Sequence, residues 1–380
     1  MILHKRYAEY VMAFVFFAVL EQAVSAGDDR LIDARAYGQA VDRAIQYLMS
    51  KGQGPDGAFS AQAGPGVTAV VTAGILRHGR SADDPGVAKG LKYLEGFVQS
   101  DGGIHAKDTF YKNYETSLAL MCFAEANRDG RYSKLIKNAD KFLKGEQWDE
   151  RMGQDKSSPS YGGAGYGKNK RPDLSNTSFF LDALKAAGDG PDDEAVKKAL
   201  IFVSRCQNLE SEHNTLPFAA KNPDGGFYYT PASGGVSQAG NLPVGGLRSY
   251  GSMTYAGLKS MIYAGVGPDD PRVKAAVKWL QSHYDLTSNP GMGGSGLSGL
   301  YYYYHTMAKT LDALGKPEFI DEKGIKHDWR RDLLGELIRR QRPDGSWVNE
   351  DNRWMESDPN LVTGYTLLTL AYCKPAAKNN

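Results

Sequence analysis

One motif is written six times along this chain, and a repeat of that kind constrains the architecture before any single residue does. Each copy is a helix, a Gly-rich turn and a second helix. The turns occupy residues 54–59, 101–104, 161–164, 224–227, 292–295 and 344–347. An apolar segment follows each turn and carries one threonine in register: Thr68, Thr116, Thr177, Thr254, Thr306 and Thr363. A unit of this size cannot bury its apolar face alone, so neighbouring units must stack on one another.

The two helices of a unit differ in character. The first is amphipathic and ends in an aromatic–aliphatic pair followed by glutamine, as in Tyr47-Leu48 to Gln53 and Phe142-Leu143 to Gln147. In the fifth unit, Trp279-Leu280 keeps the pair but loses the glutamine spacing. Asp84-Pro85, Asp193-Glu194 and Asp270-Pro271 read as caps at the starts of these helices. The second helix is apolar on nearly every side, which predicts full burial. Six such hairpins side by side close into a ring with the apolar helices inside. Long inserts at 148–172 and 208–248, rich in Gly, Ser, Pro and Tyr, precede the third and fourth inner helices and predict a rim or lid on one face.

Composition narrows the class. With 45 basic and 44 acidic residues, the chain lacks the electrostatic footprint of a nucleic-acid binder. Lys5 and Arg6, an apolar run from Val11 to Leu20 and small residues at Val24-Ser25-Ala26 read as a signal peptide over 1–26. That leaves 27–380 as one exported domain, periplasmic or secreted, with no transmembrane helix after cleavage and with membrane association still open. Cys122, Cys206 and Cys373 lie in apolar helical text without metal-ligand spacing and read as buried small hydrophobes.

The segment Lys89-Gly90-x-x-Tyr93-Leu94, then Gln99 and Gly102-Gly103-Ile104, resembles the repeat shared by squalene and terpene cyclases and the β subunits of protein prenyltransferases. Gly335 to Gln341 followed by Gly345-x-Trp347 carries the same motif. The resemblance covers essentially the whole mature chain. It implies an all-α fold, an (α/α)6 toroid with inner and outer barrels of six helices each. The inner helices then run parallel, and one rim gathers six helix N-termini, an arrangement favourable to an anion.

Neither catalytic set of that superfamily is intact. The cyclases start their reaction from an Asp-x-Asp-Asp-Thr-Ala array; registered on Thr177, this chain reads Asp173-Leu174-Ser175-Asn176-Thr177-Ser178. The prenyltransferases hold zinc with an Asp-x-Cys pair and a histidine. Here His305 survives while the paired positions fall on Arg248 and Tyr250, so no metal and no cofactor is expected. The residue before each register threonine carries the variation: Val67, Glu115, Asn176, Met253, His305 and Val362. Glu115, Asp173 and His305 are therefore the candidate catalytic residues at the mouth of the central cavity. Asn176, Tyr250, Tyr255 and Tyr304 are candidate ligand contacts. Three functions stay open: a cyclase-like protein holding an isoprenoid or other lipid-like ligand; an exported, non-catalytic module recognising a carbohydrate, peptide or protein at the rim; and a polysaccharide lyase drawing on Arg248, Lys259 or Lys309.

Overall fold

The computed structural model describes residues 34–168 and 170–375; the segment read as a signal peptide lies outside them. The outer helices are α1 (Ala34–Tyr47), α3 (Pro85–Glu95), α5 (Ser133–Glu146), α7 (Glu194–Arg205), α9 (Pro271–Ser282) and α11 (Trp329–Arg340). They alternate with the inner helices α2 (Pro65–Arg77), α4 (Lys112–Ala126), α6 (Leu174–Ala187), α8 (Gly251–Tyr263), α10 (Leu300–Ala313) and α12 (Pro359–Leu370). Each inner helix packs on the next, and α12 packs on α2, so the inner barrel closes into a ring. A small antiparallel hairpin, Phe319–Ile320 with Lys326–His327, follows α10.

Burial follows the sequence pattern. In α1 the buried residues are Tyr37, Ala40, Val41, Ala44 and Ile45, one stripe at helical spacing. In α12 every residue from Leu361 to Leu370 is buried, as expected of a helix enclosed by an outer barrel. The Asp caps also form: Asp84 accepts from the Gly86 N–H at 3.2 Å, and Asp270 from the Arg272 N–H at 2.8 Å. None of the described helices is long and apolar enough to cross a membrane.

The repeated Gln, Gly and Thr are joinery. The Gln147 amide donates to Gly162 O in its own turn and to Ala195 O in the next outer helix, both at 2.9 Å. Gln341 does the same with Gly345 O and Ala40 O, which ties the last unit to the first. Thr177 Oγ1 accepts from the Ala164 N–H at 3.0 Å and so pins the turn to its inner helix. Gly162 has φ +83°, and a Cβ there would overlap the Lys198 carbonyl oxygen of the next outer helix, so only glycine fits. The fifth unit departs from this scheme. Gly293 has open space around it, and Thr306 bonds back to Tyr302 O and Tyr303 O inside its own helix. The missing glutamine spacing in that unit therefore marks a real structural break.

Candidate functional site

The inner barrel is open at the end where its helices begin. There it holds a cavity of about 590 Å³, inside the range of roughly 300–1,000 Å³ typical of small-molecule sites. Helix residues and loop residues share the wall. Val67, Tyr114, Glu115, Phe179, Met253, Tyr302 and Tyr365 come from the inner helices, while Tyr166 and Tyr229 come from the two long inserts. Trp354, Met355 and Glu356 come from the loop before α12. The inserts thus lie at the rim, where their composition put them.

The floor of the cavity is aromatic. Tyr114 and Phe179 meet edge-on at 5.4 Å, Phe179 and Tyr302 lie 5.8 Å apart, and Tyr302 and Tyr365 6.1 Å apart. The Tyr114 and Tyr365 hydroxyls pair at 3.3 Å, and Ser175 donates to the Tyr302 hydroxyl at 3.1 Å. The wall is mostly carbon, with polar atoms at a few set points.

Two carboxyl groups reach this space directly. Glu115 accepts from the Ala106 N–H at 2.8 Å and the Thr109 hydroxyl at 3.3 Å, and its burial raises its pKa. Glu356 sits at the start of α10, where it accepts from the Tyr302 N–H at 2.8 Å, the Tyr301 N–H at 3.2 Å and the Asn349 amide at 2.6 Å. Burial pushes its pKa up to about 7 against the pull of those three donors. Trp354 and Met355, just before it, adopt φ values of +56° and +64°. Left-handed backbone at two non-glycine residues costs of order 1–3 kcal/mol each, and the Glu356 contacts with α10 anchor the end of this strap.

Asp173 stands one layer back. It caps α6 by accepting from the Asn176 N–H at 2.9 Å, and it accepts from the Asn176 amide at 2.7 Å. Its pKa is pushed up to about 6 by burial. Its neighbour Tyr229, whose carbonyl accepts from the Leu174 N–H at 2.8 Å, lines the wall. Asn176 is likewise occupied with Asp173 and does not face the cavity.

The remaining sequence candidates fall elsewhere. Tyr250 lines the cavity. Tyr255 does not; its ring packs on Tyr303 at 5.7 Å. Tyr304 also points away, donating from its hydroxyl to Leu286 O at 2.5 Å. Four consecutive helical residues project about 100° apart, so of the run Tyr301 to Tyr304 only Tyr302 reaches the cavity. His305 lies below the aromatic floor in a separate small chamber beside Lys309. Glu115, Asp173 and His305 therefore occupy three different settings and do not converge on one point. Lys259 and Lys309 are both buried against Asp182, at 2.6 and 2.8 Å, and Arg248 is outside the cavity, so the three bases suggested for a lyase do not gather in it.

One expectation is narrowed. Three of the six converging helix starts are already met by the protein's own carboxyls. Glu356 neutralises α10, Asp173 caps α6, and Asp358 caps α12 by accepting from the Asn360 N–H at 2.8 Å. Glu356 itself escaped sequence reasoning: it precedes α12 in a loop, outside the threonine register, while its partners start α10.

Residues 55–230 match the family of the squalene-hopene cyclase C-terminal domain. No curated protein matches the chain significantly. Among solved structures, it is similar to apo type II terpene cyclase MstE from Scytonema, with a TM-score of 0.54 and 12% identity over 89% of this chain and 98% of that one. A D-mannose isomerase superposes with a TM-score of 0.56 and 12% identity over 90% and 97% of the two chains. A protein from Actinoplanes does so with a TM-score of 0.51 and 16% identity over 89% and 100%. At these identities the structures share a fold, and activity has to be argued from the residues.

Proposed function

We propose that this member of the squalene/terpene-cyclase-like superfamily of α/α toroids holds an isoprenoid or other lipid-like ligand in its central cavity. The observation that carries this reading is the cavity wall itself. A space of about 590 Å³ is enclosed by Phe179, Met253, Leu361 and a set of tyrosines, with polar atoms confined to a few positions. Such a wall favours a long apolar body through burial, worth roughly 25 cal/mol per Å² of apolar surface removed from water. Aromatic faces would also stabilise positive charge developing along that body.

Any proton supplied to the ligand starts from the rim carboxyls. Glu115 and Glu356 touch the cavity, and Asp173 stands one layer behind its wall. The clustered acids of the cyclase array are replaced here by Ser175 and Asn176, so the reading is ligand binding first, with acid chemistry as its non-standard extension. It includes export: the segment 1–26 directs the chain out of the cytosol, and terminal sequencing of the mature protein should return Gly27.

The competing occupant is a carbohydrate. The tyrosine hydroxyls and two carboxyls could hydrogen-bond a sugar, and D-mannose isomerase uses the same toroid. Native mass spectrometry with lipid extraction of the purified protein separates the two. A co-purifying isoprenoid, or saturable binding of squalene or a prenyl alcohol that Met253→Trp abolishes, supports the lipid reading. Absence of both, together with protection of the folded state by a sugar, would transfer the site to the carbohydrate reading.

A further inference from the structure

The four rings on the cavity floor form a closed circuit. Tyr114, Phe179, Tyr302 and Tyr365 touch in that order, and the Tyr365 hydroxyl returns to that of Tyr114 at 3.3 Å. In all, nine aromatic side chains line the space. Among the described residues its charged lining consists of Glu115 and Glu356, with no lysine, arginine or histidine.

The two acids flank the floor. Glu115 follows Tyr114 in α4, and Glu356 is held by the N–H groups of Tyr301 and Tyr302 at the start of α10. In the closed ring of six inner helices α4 and α10 are three places apart, so the carboxyls stand on opposite walls.

Neither acid has a counter-cation among the described residues; the donors to both are neutral N–H and O–H groups. A carboxylate oxygen can accept two hydrogen bonds. Each Glu115 oxygen takes one donor, and so does Glu356 Oε1, which leaves bonding capacity free on both residues. Tyr250, 2% exposed, lines the same space, and its hydroxyl has no hydrogen-bond partner among the described residues.

The local helix dipoles do not cancel these acids. A helix start offsets about half a charge, so each carboxyl keeps a negative remainder once ionised. Burial without a counter-cation is what raises both pKa values, that of Glu356 to about 7. A cation beside them would hold them ionised at lower pH. A neutral chain would use the rings and leave the acids idle. An organic cation uses both, because ring faces attract positive charge, most strongly where water is excluded.

We infer that the cavity seats an organic ammonium group over the aromatic floor, between Glu115 and Glu356. On an apolar chain that packs along Val67, Met253 and Leu361, this group makes the ligand a cationic amphiphile. The chain rests on the lipid reading of the cavity; the ammonium site does not.

Calorimetry on the full chain at pH 8 compares a prenyl amine with its matching alcohol; at that pH Glu356 is ionised and the amine still carries its charge. The amine should bind about tenfold more tightly or better, an increment of about 1.4 kcal/mol. Glu115→Gln removes one counter-charge and should reduce that ratio by about threefold or more; an unchanged ratio overturns the placement between the acids. Tetramethylammonium chloride tests the site without the chain. It should shift the Met253 methyl resonance of the wild-type protein saturably, where sodium chloride at equal concentration does not. If neither prenyl compound binds yet tetramethylammonium moves Met253, the ammonium site stands and the lipid reading fails. Equal affinity for amine and alcohol overturns the cationic amphiphile, leaving a site for free ammonium if tetramethylammonium still acts. Equal affinity together with no response of Met253 overturns the inference altogether, and neither arm of that result needs a variant to fold.

Discussion

The two ends of the inner barrel carry opposite chemistry on the same scaffold. At the open end, helix N-termini meet carboxyls: Glu356 on α10, Asp173 on α6 and Asp358 on α12. At the closed end, helix C-termini meet cations, with Arg77, Lys259 and Lys309 arranged around Glu125 and Asp182. Both patterns complement the helix dipoles. They differ in how fully the charges are paired. The rim acids accept backbone N–H donors. The closed end buries two ammoniums on one carboxylate. The lesson is that a parallel inner barrel creates its own polarity, and side chains then decide which end is left with unmet bonding capacity.

The sharpest way to break this contrast is at Asp182. Asp182→Asn leaves two buried ammoniums without a counter-charge, and removal of one partner of a buried ion pair costs about 3–5 kcal/mol. Urea unfolding at neutral pH should show a loss of that order. A loss below about 1 kcal/mol would mean that the helix dipoles or a neutral lysine already balance the closed end, and the contrast would fail.

The ends should also answer pH in opposite senses. The folded-state pKa of Glu356 is raised from 4.5 to about 7 and that of Asp173 from 3.8 to about 6, both by burial. Their contribution to stability is complete below the unfolded values and is lost as pH rises towards 6–7. At the closed end, burial lowers Lys259 from 10.5 to about 8, so its penalty is full below that value and is relieved as pH climbs towards 10.5. Asp182 is held down at about 2, chiefly by Lys259 and Lys309 acting against its burial, and its support is lost only as pH falls below 3.8. Glu356→Gln should therefore flatten the decline in stability between about pH 4.5 and 7 by an amount of order 2–3 kcal/mol, with no change on the alkaline side. Melting curves across that range check it; an unaltered slope would detach Glu356 from the rim's behaviour.

Much of the scaffold was legible in the sequence, because its determinants are local. The Gln–Gly–Thr joinery lies within one unit or between consecutive units, at fixed spacing, and each part has a stereochemical reason. Cavity chemistry was legible only where it sat in register, as with Glu115 on the wall and Asp173 as a cap. Glu356 was not, since its role depends on a loop of the sixth unit meeting the first turn of α10 in the fifth. Tyr255 and Tyr304 were misplaced for the same kind of reason: periodicity says that consecutive tyrosines diverge, but only the packed barrel says which one faces inward. The rim's affinity for anions was inferred from backbone alone, and side chains had already satisfied it at three of the six helix starts.

The smallest expected effect concerns the layer between the two ends. Tyr114 and Tyr365 bond hydroxyl to hydroxyl at 3.3 Å, across the floor that separates the cavity from the chamber. Burial pushes both phenols above their ordinary range, so neither ionises near neutral pH and the contact is one neutral hydrogen bond. Such a bond contributes about 0.5–1.5 kcal/mol net, and one this long falls at the weak end. Tyr114→Phe and Tyr365→Phe should each cost less than about 1 kcal/mol, with a coupling in the double-mutant cycle of about 0.5 kcal/mol. A much larger coupling would mean that the pair draws on charge from one of the ends, Glu115 above or Lys309 below. The floor would then transmit polarity along the axis, where the geometry shows it as an insulating aromatic layer.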